Sequence, residues 1–170
     1  MALAKAAVRV VDEVLFVLPR VFPHKDWKGA RFEDRVRMLD AAIGQEKRFS
    51  IAASDRGLFI EIARECRQDY GADTELHFLC GRDAAERMVN WDYGRPEAIG
   101  EQLVELQLLV APRRGNYEPP AELRGRIHPL PLEQDYDELS ASEVRERIAR
   151  GDAWEHLVPE AIVELVREAY

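Results

Sequence analysis

Along the chain, apolar and polar positions alternate between two periods. Continuous apolar runs of strand length fall at Val14–Leu18, Phe49–Ala53, Leu76–Cys80 and Leu106–Val110, with a weaker one at Ile127–Leu132. Between them the apolar positions recur every three or four residues, over Phe32–Ile43, Leu58–Tyr70, Ala84–Val89 and Val144–Ala149. A last helix follows Pro159, a residue suited to a first turn, and runs to Tyr170. The opening stretch, MALAKAAVRVVDEVLFVLPR, reads as helix from Ala2 and then as strand, with no Ser, Thr, Asp or Asn ahead of the first turn to cap it. Alternating strand and helix predicts parallel pairing through right-handed crossovers, hence an α/β fold with a doubly wound parallel sheet. Gly44, Gly57, Gly71, Gly94 and Gly115 punctuate the joints. The segment Arg113–Pro131, rich in Pro and Gly, reads as a surface connection around a late strand, so residues 1–170 form a single domain without internal repeats.

Composition narrows this picture. A chain of 170 residues, 46% hydrophobic and 33% charged, suits one soluble domain with a real core. No apolar run spans a bilayer, and residues 1–11 are too alanine-rich for a signal peptide. Cys66 and Cys80 lack the CxxC spacing and read as reduced thiols of a cytoplasmic protein. The net charge of −8 excludes a general nucleic-acid binder. The charge is uneven, however: residues 1–50 carry ten Lys/Arg against seven Asp/Glu. The basic excess centres on Arg20, His24, Lys25, Lys28, Arg31, Arg35 and Arg37. An acidic protein with one basic cluster suits a small anionic ligand, although Lys28, Arg31 and Arg37 read better as a solvated helix face.

Four segments carry candidate chemistry. In LSASEVRERIARG, Ser140 and Ser142 stand where a helix begins, Ser142 is a plausible N-cap, and Arg145 lies one turn in. Free N–H groups, a hydroxyl and a guanidinium converging there would suit a phosphate; spacing alone favours a plain helix cap. In VLPRVFPHKD, His24 and Lys25 fall in a loop beyond a strand's carboxyl end, where ligands of open parallel sheets sit, and Lys25 could meet a polyphosphate. The alternative is an ordinary polar loop. In FLCGRDAAERMVNW, Gly81 ends a strand and leaves its backbone approachable, Asp83 could cap the next helix, and Trp91 is either core or a surface that stacks on a flat heterocycle. Trp27 and Trp154 read as packing. In LQLLVAPRRG, Arg113 and Arg114 again follow a strand's carboxyl end, as phosphate ligands or as solvated charges. His77, His128 and His156 show no metal-ligand spacing, and no metal site is assigned.

Taken together, ALAKAAVRVVDEVLFVLP…FPHK, RFEDRVRMLDAAI, LCGRD with Trp91 eight residues after Asp83, LLVAPRRG and LSASEVRERIARGDAWEHLVPEAIVELV resemble, in order and spacing, the bacterial nicotinate-nucleotide adenylyltransferase family of the H-x-G-H nucleotidyltransferase superfamily. The resemblance covers almost the whole chain, and the terminal block is its most specific part. It implies a Rossmann-like sheet of nucleotidyltransferase type. The implied reaction condenses nicotinate mononucleotide with ATP and releases pyrophosphate, in NAD biosynthesis, with Mg2+ as the divalent cation. By position it implies that His24, Lys25, Ser140, Ser142 and Arg145 hold ATP phosphates, that Gly81 and Asp83 line the nucleotide site, that Trp91 stacks on the pyridine ring, and that Arg113 contacts the mononucleotide phosphate. Small-molecule nucleotides are the implied partners, with a homodimer through an open strand edge as a further expectation.

Two departures from the family pattern bear on function. In the family, a strand and a glycine-rich loop ending in H-x-G-H, roughly 15–20 residues, stand before the first helix; here the sequence starts at that helix, and no catalytic residue is identified. That strand would be the central one, so two strand edges are expected to lie open. Near residue 54 the family shows a Ser-Tyr-Thr-type stretch, whereas this chain has ASDRGLFIEI, in which Ser54 and Asp55 could cap the following helix. Three readings follow: an adenylyltransferase whose start was assigned late, a nucleotide-binding or regulatory module with little turnover, and a domain used only in assembly. A related substrate such as phosphopantetheine stays open beside nicotinate mononucleotide. The first two readings share one expectation, that the serine, lysine and arginine side chains converge on a single polyphosphate pocket.

Overall fold

The computed structural model describes residues 1–22, 29–94, 98–112, 115, 117–132 and 141–170. In chain order the elements are α1 (Ala2–Ala7), β1 (Val14–Pro19), α2 (Phe32–Ile43), β2 (Phe49–Ser54), α3 (Phe59–Tyr70), β3 (His77–Gly81), α4 (Arg82–Asn90), α5 (Ala98–Glu105), β4 (Gln107–Ala111), β5 (Ile127–Pro129), α6 (Ala141–Arg150) and α7 (Val163–Ala169). Single 3-10 turns lie at Ala121–Leu123, Glu155–Leu157 and Glu160–Ile162. Each predicted strand and helix is present. The helix expected from Pro159 opens as a 3-10 turn before α7, and β5 is shorter than its apolar run because prolines at 129 and 131 cannot donate to a ladder. Helix α5 is additional to the predicted set. Gly100 lies within it, and its apolar positions run on into the strand that follows.

All ladders are parallel, as the alternating pattern requires. β1 pairs β2 from Val14↔Phe49 to Pro19↔Ser54, β3 pairs β4 from His77↔Gln107 to Gly81↔Ala111, and β4 pairs β5 over Leu108–Val110. In keeping with the two open strand edges expected from the sequence, the strands lie in two pieces, β1-β2 and β3-β4-β5. Among the described residues β1 ladders only to β2 and β3 only to β4. The burial pattern follows. β4, with a neighbour on each side, buries Leu108, Leu109, Val110 and Ala111, whereas every residue of the equally apolar β1 is only half-buried.

Alternation along β4 divides the core into two layers. Leu108 and Val110 face a cluster built with Ile60 and Ala63 of α3, Ala85 of α4, and Ile99 and Leu103 of α5. Leu109 and Ala111 face the other way, onto Ala7 and Leu130. Helix α1 joins the two sheets. Its Ala4, with Val8 just beyond, meets Phe49 of β2, while Ala7 meets β4, and Val14 packs against both clusters. The alanine-rich sequence gives α1 both its helical propensity and its close approach to the strands. Its first turn has no side-chain cap, as expected. Both thiols are free; burial pushes the Cys80 thiol up to about 12, which makes it an inert core group.

Candidate nucleotide site

In a parallel α/β protein the ligand rim lies beyond the carboxyl ends of the strands. At the ends of β1 and β2 the backbone zips shut, the Arg20 N–H donating to the Ser54 carbonyl at 2.9 Å. The Arg20 guanidinium then lies 4.0 Å from the centroid of the Phe32 ring and pairs with Asp55 at 3.3 Å. Arg35 faces the same ring at 5.3 Å and the Phe22 ring at 5.1 Å, and its Nη2 donates to the Pro19 carbonyl at 3.0 Å. Burial holds the Arg35 guanidinium below its ordinary value. Two members of the basic cluster are therefore built into the fold around aromatic rings. Arg31 and Arg37 are the solvated side chains the pattern suggested, pairing with Asp34 on the exposed side of α2. His24, Lys25, Trp27 and Lys28 lie outside the described residues.

Ser54 and Asp55 do not cap α3. The N-cap position is Leu58, without a side-chain hydrogen bond. The buried Ser54 hydroxyl instead donates to the Glu65 carboxylate and accepts the Arg56 N–H at 2.9 Å, locking the turn after β2. No tyrosine stands in this turn.

The carboxyl end of β3 leads straight into α4. Gly81 is both the last strand residue and the N-cap residue of α4, and a Cβ placed on it would meet nothing within 4 Å, so its backbone faces open space. Asp83 is not the cap. It is the second helical residue, exposed, with its carboxylate in the first turn where the helix dipole favours negative charge. Between them Arg82, which the sequence reading passed over, donates from Nε to Glu86 at 2.7 Å, one turn on. Glu86 keeps the Arg82 guanidinium above its ordinary value. Its Nη1 lies 3.7 Å from the place a Cβ of Gly115 would occupy, in the loop after β4. Gly115 has φ +104°, a backbone conformation that side chains disfavour. The sequence signal for Arg82 is its position between Gly81 and Asp83 at a strand end. Arg113 and Arg114 lie outside the described residues.

Trp91 sits at the C-cap of α4 and is 53% exposed, unlike Trp154, which is buried as expected for packing. It borders an open depression of about 320 Å³ shared with Val89, Asn90, Asp92, Tyr93 and Ile99. The depression has a fixed wall. Asn90 Nδ2 donates to the Glu86 carbonyl at 2.8 Å, the Tyr93 hydroxyl donates to the Met88 carbonyl at 3.0 Å, and the Gly94 N–H donates to Asp92 Oδ1 at 2.8 Å.

On α6, Ser142 is the second helical residue and not the N-cap; the preceding Ser140 lies outside the described residues. The structure does bring Ser142 and Arg145 together, Arg145 Nη2 donating to Ser142 Oγ at 3.2 Å on the exposed first turn. Arg147 braces the helix from the other side, bonding Glu143 at 2.6 Å and the Ala153 carbonyl at 3.1 Å. The described site residues thus form two groups: Gly81, Arg82, Asp83 and Trp91 along α4, and Ser142 with Arg145 at the start of α6. Among the described residues no group of three or more His, Cys, Asp or Glu is arranged to hold a metal ion, and no helix is long and apolar enough to cross a membrane.

A parallel α/β fold with cationic side chains at its strand ends belongs to the class of proteins that take ligands at the carboxyl rim of the sheet. The family model described as cytidylyltransferase-like matches residues 1–147. A protein of Shouchella clausii (strain KSM-K16) named "Probable nicotinate-nucleotide adenylyltransferase" is 32% identical over 171 residues, spanning 97% of this chain and 83% of the relative. Proteins with the same name from Treponema pallidum (strain Nichols) and Geobacillus thermodenitrificans (strain NG80-2) are 32% and 29% identical, spanning 91% and 93% of this chain and 81% and 71% of their own lengths. The chain belongs to the cytidylyltransferase-like family, in its nicotinate-nucleotide adenylyltransferase branch.

Proposed function

We propose that this chain binds nicotinate mononucleotide and ATP at the carboxyl rim and serves their condensation. In that reaction a phosphate oxygen of the mononucleotide bonds to the α-phosphorus of ATP, the bond from that phosphorus to the β-phosphate bridging oxygen breaks, and pyrophosphate leaves. Phosphoryl and nucleotidyl transfer depend mainly on positioning and charge stabilisation. Ser142 and Arg145 supply a hydroxyl and a guanidinium for the ATP phosphates, with Ser140, His24 and Lys25 as further contacts. Gly81 and Asp83 line the mononucleotide side, Trp91 stacks on the pyridine ring, and Arg113 reaches its phosphate. Mg2+ would accompany the triphosphate, as is usual for an ion that keeps few protein ligands; no described cluster offers it a cage. The cytoplasm is the compartment such a reaction implies.

The observation that carries this reading is Trp91: a tryptophan left 53% exposed at a helix end, over an open depression with hydrogen-bonded walls. A flat ring laid on it would cover apolar surface that the fold leaves in water. A second reading, binding with little turnover, keeps the same two groups of residues without the transfer step. A pyrophosphate-release assay with ATP and, in turn, nicotinate mononucleotide, nicotinamide mononucleotide and phosphopantetheine tests both. Release with nicotinate mononucleotide alone supports the reaction, binding without release supports the module, and release with phosphopantetheine alone overturns the pyridine assignment.

A further inference from the structure

We propose that Asp92 is a specificity residue for the pyridine ring, tilting the Trp91 depression toward a ring that carries an amide and away from one that carries a carboxylate. This rests on the reading of Trp91 as the ring platform and adds the residue that senses the ring's charge. Of the described residues that line the depression, Asp92 alone bears a charge. It follows Trp91 directly, just beyond the end of α4, and is exposed. Its Oδ1 accepts the Gly94 N–H at 2.8 Å, and Gly94 has φ +81°, so the bond closes a tight turn that fixes the carboxylate at the depression's wall. Among the described residues Asp92 makes no ion pair, so its negative charge is not cancelled where a ligand would meet it.

The two candidate mononucleotides differ at one ring substituent. In both, the ring nitrogen is bonded to ribose and is positive. With an amide the ring system is a cation; with a carboxylate it is neutral overall. That difference of one charge holds whichever way the ring lies on Trp91. A fixed carboxylate in the same depression therefore favours the amide, and the indole face adds to the attraction for a cationic ring. Ribose and phosphate are common to both ligands and cancel in the comparison.

The test is the ratio of affinities for nicotinamide mononucleotide and nicotinate mononucleotide, by calorimetric titration of the full chain, unaltered and as Asp92→Asn. Asparagine keeps an oxygen for the Gly94 N–H and removes the charge. The ratio should move toward nicotinate about twofold to fivefold at low salt, the scale of an exposed charge pair. The shift should shrink in high salt. Asp92→Ser, a second neutral acceptor, should move the ratio the same way. A ratio that moves by less than twofold, moves toward the amide, or shifts equally at both salt levels overturns the proposal. If the unaltered chain binds neither mononucleotide, the mononucleotide reading fails by itself. Asp92 is then judged on the bare rings, ring-methylated nicotinamide against ring-methylated nicotinate, by the NMR shift of the Trp91 indole N–H, assigned with Trp91→Phe. The same criterion applies, and rings that leave that signal unmoved overturn the proposal as well.

Discussion

Replacing Arg145 with alanine separates binding from folding at the start of α6. The residue is half-buried, and its hydrogen bond to Ser142 Oγ at 3.2 Å lies on the exposed first turn. Helix α6 has no fully buried residue, so the fold does not hang on this side chain. An exposed hydrogen bond between side chains is worth about 0.5 kcal/mol, and alanine, the better helix former, returns part of it. The melting temperature should therefore move by no more than about 2–3 °C. The ligand sees a larger change. A hydrogen bond from guanidinium to phosphate contributes about 1.5–3 kcal/mol, so ATP affinity should fall roughly tenfold to a hundredfold. Ser142→Ala should cost less, since a hydroxyl is neutral. Calorimetric titration with ATP beside thermal denaturation reads both quantities on one sample. An unchanged ATP affinity refutes the reasoning. So does a large drop in melting temperature matched by equal loss of every ligand, which would make Arg145 a structural residue only.

Three further outcomes follow from the fold. Leu108 of β4 is fully buried in the main core cluster, so Leu108→Ala should lower the free energy of unfolding by about 3 kcal/mol in urea denaturation, whereas a change of under 1 kcal/mol would mean the cluster collapses freely around it. Glu155 is held down to about 2 by its own N–H and by Arg167, with the Trp154 N–H adding to them. A depressed carboxylate stabilises the fold above its unfolded value and loses that contribution as pH falls through its folded value. Glu155→Gln should thus lower the melting temperature at pH 7, and the difference should close as pH drops from about 4.5 to about 2; a gap independent of pH would contradict the assignment. The Cys80 thiol, pushed up to about 12 by burial, should resist alkylation at pH 8 until the chain unfolds, and rapid native labelling would show the β3–α4 core to be open.

The strands were legible because their residues are apolar without alternation, which is what a sheet covered on both faces demands. Leu108–Ala111 shows why, with successive side chains buried in opposite layers. The two open edges were legible only through the family resemblance, since a strand's own sequence does not say on how many sides it is paired; β1 and β4 read alike and differ in burial. Helix α5 escaped because a glycine and an abutting strand blur its period. In the candidate site, the contact between Arg145 and Ser142 follows from their three-residue spacing on a helix, whereas the sequence left Trp91 as either core or exposed surface. The N-cap assignments of Ser142 and Asp83 missed by a residue or two, because a hydroxyl or carboxylate near a helix start looks the same at neighbouring positions. The setting of Arg35 was hidden for a different reason. Charge is visible in a sequence, but the Pro19 carbonyl and the Phe22 and Phe32 rings that hold this guanidinium come from other segments.

A carboxyl rim that is one site for two different nucleotides must hold both at once. Calorimetric titration of nicotinate mononucleotide into the full chain, alone and then with saturating magnesium–ATP, measures this directly. Binding is expected in both titrations, with the mononucleotide still bound when ATP fills its own half of the rim and with both affinities lost separately, to Trp91→Ala and to Arg145→Ala. Displacement of one nucleotide by the other, or a rim that binds neither, would contradict it.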